Sequence, residues 1–219
     1  MLNIKKYIQL KNKRKELLYD ITDDTNDIDY ILPGTLIFVR DHKSIWSKLI
    51  AWYESIEDIN FHDKIDTLPS HVEVYIGDGE CVSADFTGVK VTKLNRHFTD
   101  FETVYTLDLS ILDSDKREKI CRFALSKVGT LYDLPGVLSF LLKIPIIKYL
   151  VKDTIIARYL NQVDFAYFCS ELAALSYEYA GVRLAVDSVV SPAHLMYNIL
   201  TSYPATSEIK KIWQRGEEI

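Results

Sequence analysis

Cysteine is scarce in this chain, which has only Cys81, Cys121 and Cys169. An odd number at wide spacing makes neither a disulfide framework nor a zinc site, so a reducing compartment is the simpler expectation. Long uncharged apolar runs are lacking too. The most apolar stretch, 136–151, is interrupted by Lys143, Pro145 and Lys148 and falls short of the ~20 residues a transmembrane helix needs. The N-terminal lysines have no apolar segment of secretory type behind them. A cytoplasmic location is therefore expected, with peripheral lipid contact through 136–151 left open. There is no Gly-rich phosphate loop, no Gly-x-Ser-x-Gly elbow and no His or Cys pair at metal-ligand spacing, so no cofactor and no metal are expected. Excess positive charge is missing as well. With 26 Lys and Arg against 31 Asp and Glu, the net charge of -5 gives no general attraction to nucleic acid. No repeat or low-complexity tract divides the 219 residues, so one main domain is the default.

What is present divides at about residue 30. Residues 2–19 set Leu2, Ile4, Tyr7, Ile8, Leu10, Leu17 and Leu18 among lysines and Arg14, a basic, amphipathic helix. An acidic linker, Asp20 to Asp29, follows. From Leu32 the sequence predicts a turn at Pro33-Gly34 and a buried strand through Arg40, then helical spacing over Ser44–Tyr53 and a polar loop to Pro69. Residues 70–91 read as two strands meeting at Gly77-Asp78-Gly79, a strong hairpin signal. Alternation puts His71, Glu73 and Tyr75 on one face, and Cys81, Ser83 and Asp85 likewise share a face. Thr103–Leu109 is a further strand of the same antiparallel sheet. A helix follows over Ser114–Val128, with Ser114 as its N-cap, Cys121 on its apolar side and Gly129 at its stop. Two short helices with a joint at Pro145 are expected within 136–151. Ser191-Pro192 opens a helix through Leu200. Ile209–Trp213 is a final strand or a docked terminal segment.

The chemistry centres on Asp164–Leu172. A short buried approach leads to Cys169 at the mouth of a helix that runs to Gly181, a left-handed stop. In the first turn, free backbone N–H groups and the helix dipole favour a thiolate, one route to a nucleophile. A cysteine among aromatics is also an ordinary core residue, so the chain must supply a base. His42, His62 and His97 fall in turns or polar loops, where solvated surface residues are the usual explanation. His194 lies in a helix N-terminal turn, where the dipole opposes a charged imidazole. His71 alone begins a core strand with carboxylates near it, which makes it the best base. Tyr75 and Tyr167 are candidates to line the site.

Together these stretches resemble a known family, the circularly permuted NlpC-like branch of papain-fold cysteine hydrolases, in its YiiX/YaeF-like group. The resemblance lies in Leu32-Pro33-Gly34-Thr35-Leu36-Ile37, Ser70 to Gly77, Gly88-Val89, Gly129 to Asp133, Phe168 to Leu172 with Ala180-Gly181, and Ser191-Pro192, and it covers roughly residues 31–200. It implies an α+β, papain-like antiparallel sheet packed on the Cys169 helix over residues 31–219. It also implies a cysteine hydrolase of amide bonds in small peptides or cell-wall fragments, with Cys169 as nucleophile and His71 as base. Such proteins place a polar third member, commonly Glu, on the strand after the histidine strand. Here Asp85 is the first choice for it, with Ser83 or Glu73 in reserve. Thr35 stands where the family pattern has Asp. A lipid thioesterase or acyltransferase of the same fold, or a non-catalytic binding module, is the alternative reading.

Overall fold

The computed structural model describes residues 30–44, 47–48, 68–85, 87–132, 166–167, 169–184 and 191–213. Eight strands lie in the order β1 (Leu36–Asp41), β2 (His71–Gly77), β3 (Glu80–Asp85), β4 (Gly88–Lys93), β5 (Glu102–Leu109), β6 (Leu131–Tyr132), β7 (Ala166–Tyr167) and β8 (Ser207–Trp213). Three helices are described: α1 (Ser114–Ser126), α2 (Cys169–Tyr179) and α3 (Pro192–Ser202). The class is α+β. Six strands form an antiparallel sheet ordered β4-β3-β2-β1-β5-β8, and β6 pairs with β7 in parallel. The chain divides into two compact units, 1–31 and 32–219. The basic helix and acidic linker, the 54–67 loop, the Pro145 joint and the 136–151 stretch lie outside the described residues. Among those described, no helix is long and apolar enough to cross a membrane.

The sheet forms where alternation predicts it. Leu36 and Phe38 of β1, Val72 and Val74 of β2, and Val82 and Ala84 of β3 are buried in one cluster with Leu172, Ala173 and Tyr177 of α2. In α2 the buried positions Cys169, Ser170, Leu172, Ala173, Ser176 and Tyr177 recur at three- and four-residue steps, the stripe a helix needs to lie on a sheet. The Tyr177 hydroxyl donates to the Gly34 carbonyl at 2.5 Å and ties the helix to the turn before β1. The helix then stops as expected. Gly181 takes φ 78°, and Val182 N–H closes back onto the Tyr177 carbonyl at 2.9 Å, the Schellman pattern that a left-handed glycine permits.

Some expectations shift. Gly88–Lys93 forms a strand of its own, pairing with β3 over its full length. The N-cap of α1 is Asp113, not Ser114, because its carboxylate accepts Lys116 N–H at 2.8 Å while its backbone remains extended. Ser191 does cap α3, accepting from His194 N–H, with Pro192 in the first turn. The tail resolves as β8, paired with β5.

Thr35, at the position where the family pattern has Asp, donates to Asp108 Oδ1 at 3.2 Å. Arg117 grips the same Asp108 with two 2.8 Å bonds, so the carboxylate at this corner comes from β5.

Candidate active site

Strand β7 delivers the chain to α2, whose first residue is Cys169, and α2 packs on β2. Cys169 is 7% exposed, and 22% of the His71 side chain reaches solvent, so the two meet at an accessible edge of the core. His71 Nε2 lies 3.1 Å from Glu73 Oε1 and 2.9 Å from Ser83 Oγ. With Nε2 so occupied, Nδ1 is the nitrogen left for the thiol.

Burial alone would depress the imidazolium. It is outweighed by the charge and hydrogen bond of Cys169, then by the hydrogen bond and charge of Glu73, and the pKa of His71 rises to about 10. His71 is thus held in its charged form between Cys169 on one side and the Glu73 carboxylate on the other.

Glu73 is completely buried at its side chain. Burial pushes its pKa up, yet hydrogen bonds from His71 and His97, then their charges, hold it well below the usual carboxylate range. Oε1 takes His71 Nε2, His97 Nε2 at 3.2 Å and the Arg96 guanidinium. Oε2 is buried with no hydrogen-bond partner among the described residues. The Cys81 thiol is kept protonated, by burial first and then by the charge of Glu73.

Asp85, the first choice for third member, is not at the imidazole. Its Oδ1 accepts from Thr87 N–H at 2.9 Å and from the Thr87 hydroxyl at 2.6 Å, and Oδ2 pairs with Lys90 at 2.7 Å. The last residue of β3 has thus become the cap of the turn into β4. Both reserves, Glu73 and Ser83, contact Nε2 directly. Tyr75 is buried, and its hydroxyl accepts Gly79 N–H at 3.0 Å, at the hairpin end of β2 away from His71. Of Tyr167 only its place in β7 is described, opposite Tyr132.

His97 overturns the expectation of a solvated loop residue. It is 7% exposed, at the end of a 3-10 turn, Leu94–His97. Residues three apart eclipse in such a turn, so burying Leu94 carries His97 inward with it. An apolar residue three before a histidine in a polar connection was the signal available. Its Nδ1 lies 2.8 Å from Glu102 Oε1. Burial disfavours its charged form, but Glu102 and then Glu73 prevail and its pKa is raised. His42 bonds Thr103 at 3.1 Å, His194 Nδ1 bonds its own cap Ser191 at 2.8 Å, and His62 lies outside the described residues.

Cys121 is core, with its thiol on the Tyr75 carbonyl at 3.8 Å and its pKa pushed up to about 12 by burial. No family model matches this chain, and no curated protein matches it.

Proposed function

We propose that the chain is a cysteine hydrolase of amide bonds with a papain-like, permuted NlpC-like arrangement. The supporting observation is the position of His71 between Cys169 on one side and Glu73 with Ser83 on the other. This is the order of nucleophile, base and orienting group that acyl transfer requires, and such a triad is recognised by geometry whatever its order in the chain. The Cys169 thiolate attacks the carbonyl carbon, forming the C–S bond as the carbonyl π electrons move onto oxygen. The Cys169 backbone N–H, at the first residue of α2 and so without a partner inside the helix, donates to that oxyanion. The His71 imidazolium gives its proton to the leaving nitrogen as the C–N bond breaks, leaving a thioester. Neutral His71 then takes a proton from the water that attacks the thioester, and the C–S bond breaks to return the thiolate.

Throughout, Glu73 and Ser83 accept at Nε2 and keep Nδ1 directed at sulfur, so the third member is Glu73 with Ser83 in support. A buried carboxylate in that role argues against the non-catalytic module, which rested on a weakened third member. The lipid thioesterase reading rests on 136–151 and the basic N-terminal helix, both outside the described residues, and no described observation favours it. Small peptides or cell-wall fragments are the substrate class.

The test is intact-mass detection of a covalent acyl adduct with a panel of amino-acid amides, dipeptide amides and long-chain acyl thioesters, mapped by peptide digestion. The expected result is an adduct on Cys169 from the amides, with amine release, lost in Cys169→Ala. Adducts from the acyl thioesters alone would replace the reading with the lipid enzyme. No adduct from any of them would replace it with the module.

A further inference from the structure

Glu73 has more donors than a third member needs, and their arrangement is specific. The Arg96 guanidinium reaches both groups that accept from His71: it donates to Glu73 Oε1 and, at 3.2 Å, to Ser83 Oγ. Arg96 is itself held in place. Its Nε lies 3.1 Å from His97 Nε2, His97 Nδ1 meets Glu102 at 2.8 Å, and the Thr99 hydroxyl closes on Glu102 Oε2 at 2.9 Å. The turn carrying these residues is pinned to the hairpin by Leu94 N–H on the Gly79 carbonyl at 2.8 Å. The His71 and His97 rings are 6.3 Å apart, with the carboxylate bridging them. A plain surface ion pair would have neither the buried acceptor nor the shared contact with Ser83.

We infer that Arg96 is a positioning residue that acts on the Cys169–His71 pair through Glu73: by occupying the oxygen that binds the imidazole, it limits how tightly the carboxylate holds the His71 proton. The inference rests on the thiolate–imidazolium reading of the site. An acid–base group is useful only if it can release its proton within the working pH range, and a buried, uncompensated carboxylate beside it would hold that proton too strongly. A guanidinium stays charged at any relevant pH, so it provides constant compensation, which a second histidine would not. The charged and titratable groups around Glu73 are His71 on its own strand, Cys81 on β3, Arg96 and His97 from the 3-10 turn, Glu102 of β5 beyond His97, and Cys169 of α2 beyond His71. Arg96 is the one permanent cation in the set.

The pH titration of the His71 Cε1–H proton resonance provides the test, on the full chain as wild type, Arg96→Met and Arg96→Lys, with the pH profile of Cys169 alkylation by iodoacetamide recorded beside it. A third of the Arg96 side chain is exposed, so a methionine is accommodated at its rim. Removing the cation tightens the hold of Glu73 on the imidazolium and so raises the pH at which His71 gives up its proton. The His71 midpoint of Arg96→Met is expected to move up by about one pH unit, and that of Arg96→Lys, which keeps the charge, to stay near wild type. A purely structural arginine would leave the His71 midpoint where it was, which would overturn the inference, as would a downward shift. The same shift in Arg96→Lys as in Arg96→Met would also overturn it. The wild-type profile separates this failure from that of the underlying reading. If wild-type Cys169 titrates as an ordinary thiol near ~8.5, the ion pair is absent, and both the proposed function and this inference fall.

Discussion

Replacing Glu73 by glutamine removes one charge and almost no volume, so its effect on the imidazole can be worked from the geometry. The carboxylate oxygen is 3.1 Å from Nε2, which puts the centres of charge about 4 Å apart. At an effective dielectric constant of about 20 that interaction amounts to about 4 kcal/mol, or roughly 3 pKa units. The imidazolium of His71 would then fall from about 10 to roughly neutrality. The balance between thiolate–imidazolium and neutral thiol–imidazole would move by about three log units toward the neutral pair. Alkylation of Cys169 at pH 6 is expected to drop by on the order of 10²- to 10³-fold, with the fold retained. Stability should fall by only about 1–3 kcal/mol, because the amide oxygen still accepts hydrogen bonds and Arg96 can turn to solvent. The assay compares pH 6 iodoacetamide rates for wild type, Glu73→Gln and Asp85→Asn, each checked by circular dichroism and thermal melting. Since the Asp85 carboxylate serves Thr87 and Lys90, Asp85→Asn should stay within about twofold of wild type. A Glu73→Gln rate within twofold of wild type, or a crippled Asp85→Asn, would refute the assignment of the third member.

Two further outcomes follow from the burial of charges. Limited alkylation at neutral pH with peptide mapping should label Cys169 before Cys81 and Cys121, whose thiols are both pushed up by burial, and His71→Ala should erase that order. Preferential labelling of Cys121 would show that the pair does not activate Cys169. Stability should decline at both ends of the pH range. Glu73, held below its ordinary 4.5, contributes stability that is present above that value and lost as pH falls beneath it. Cys121, raised from 9.0 to about 12, contributes stability that is present below 9.0 and lost as pH rises toward 12, about 1.4 kcal/mol by pH 10. Urea midpoints against pH should show a flatter alkaline limb for Cys121→Ala and a flatter acid limb for Glu73→Gln. Slopes unchanged from wild type would count against the corresponding group.

Local signals carried most of the fold. Period-two alternation located β1, β2, β3 and β5, the Gly-Asp-Gly turn located the hairpin, and a helix-forming run closed by Gly181 located α2. Such features depend on neighbours a few residues away, where sequence is informative. Three details depended on geometry further off. Strand β4 buries only two of its six residues and is defined by pairing rather than by its own pattern. The cap of α1 moved one residue because Asp113 and Ser114 are both competent caps and backbone angles decide between them. His97 was hidden because a polar connection gives no helical or strand period, and only the eclipsing of Leu94 and His97 in a 3-10 turn brings it inside.

The third member turned on a single residue of register. Across the hairpin Gly77 pairs with Glu80, but one step further in Tyr75 pairs with Cys81 and Val74 with Val82, so two residues of β2 oppose one of β3. Had the pairing run on from Gly77 and Glu80 without that bulge, Ser83 would oppose Val74 and point into the hydrophobic cluster. With the bulge, the register carried forward sets Ser83 opposite Glu73 and Asp85 opposite His71, all on one face. The choice between the two is then made by what lies beyond each. Ser83 is fully buried and bonds Nε2 directly, whereas 28% of the Asp85 side chain is exposed at the strand end, where the Thr87 hydroxyl and amide and Lys90 compete for it. Three donors at the rim outcompete one imidazole a strand away. The carboxylate that meets the imidazole is consequently taken from the histidine's own strand, two residues on, where alternation guarantees Glu73 the same face whatever the hairpin does. That position tolerates slips of the β2–β3 register that would disconnect any partner drawn from β3.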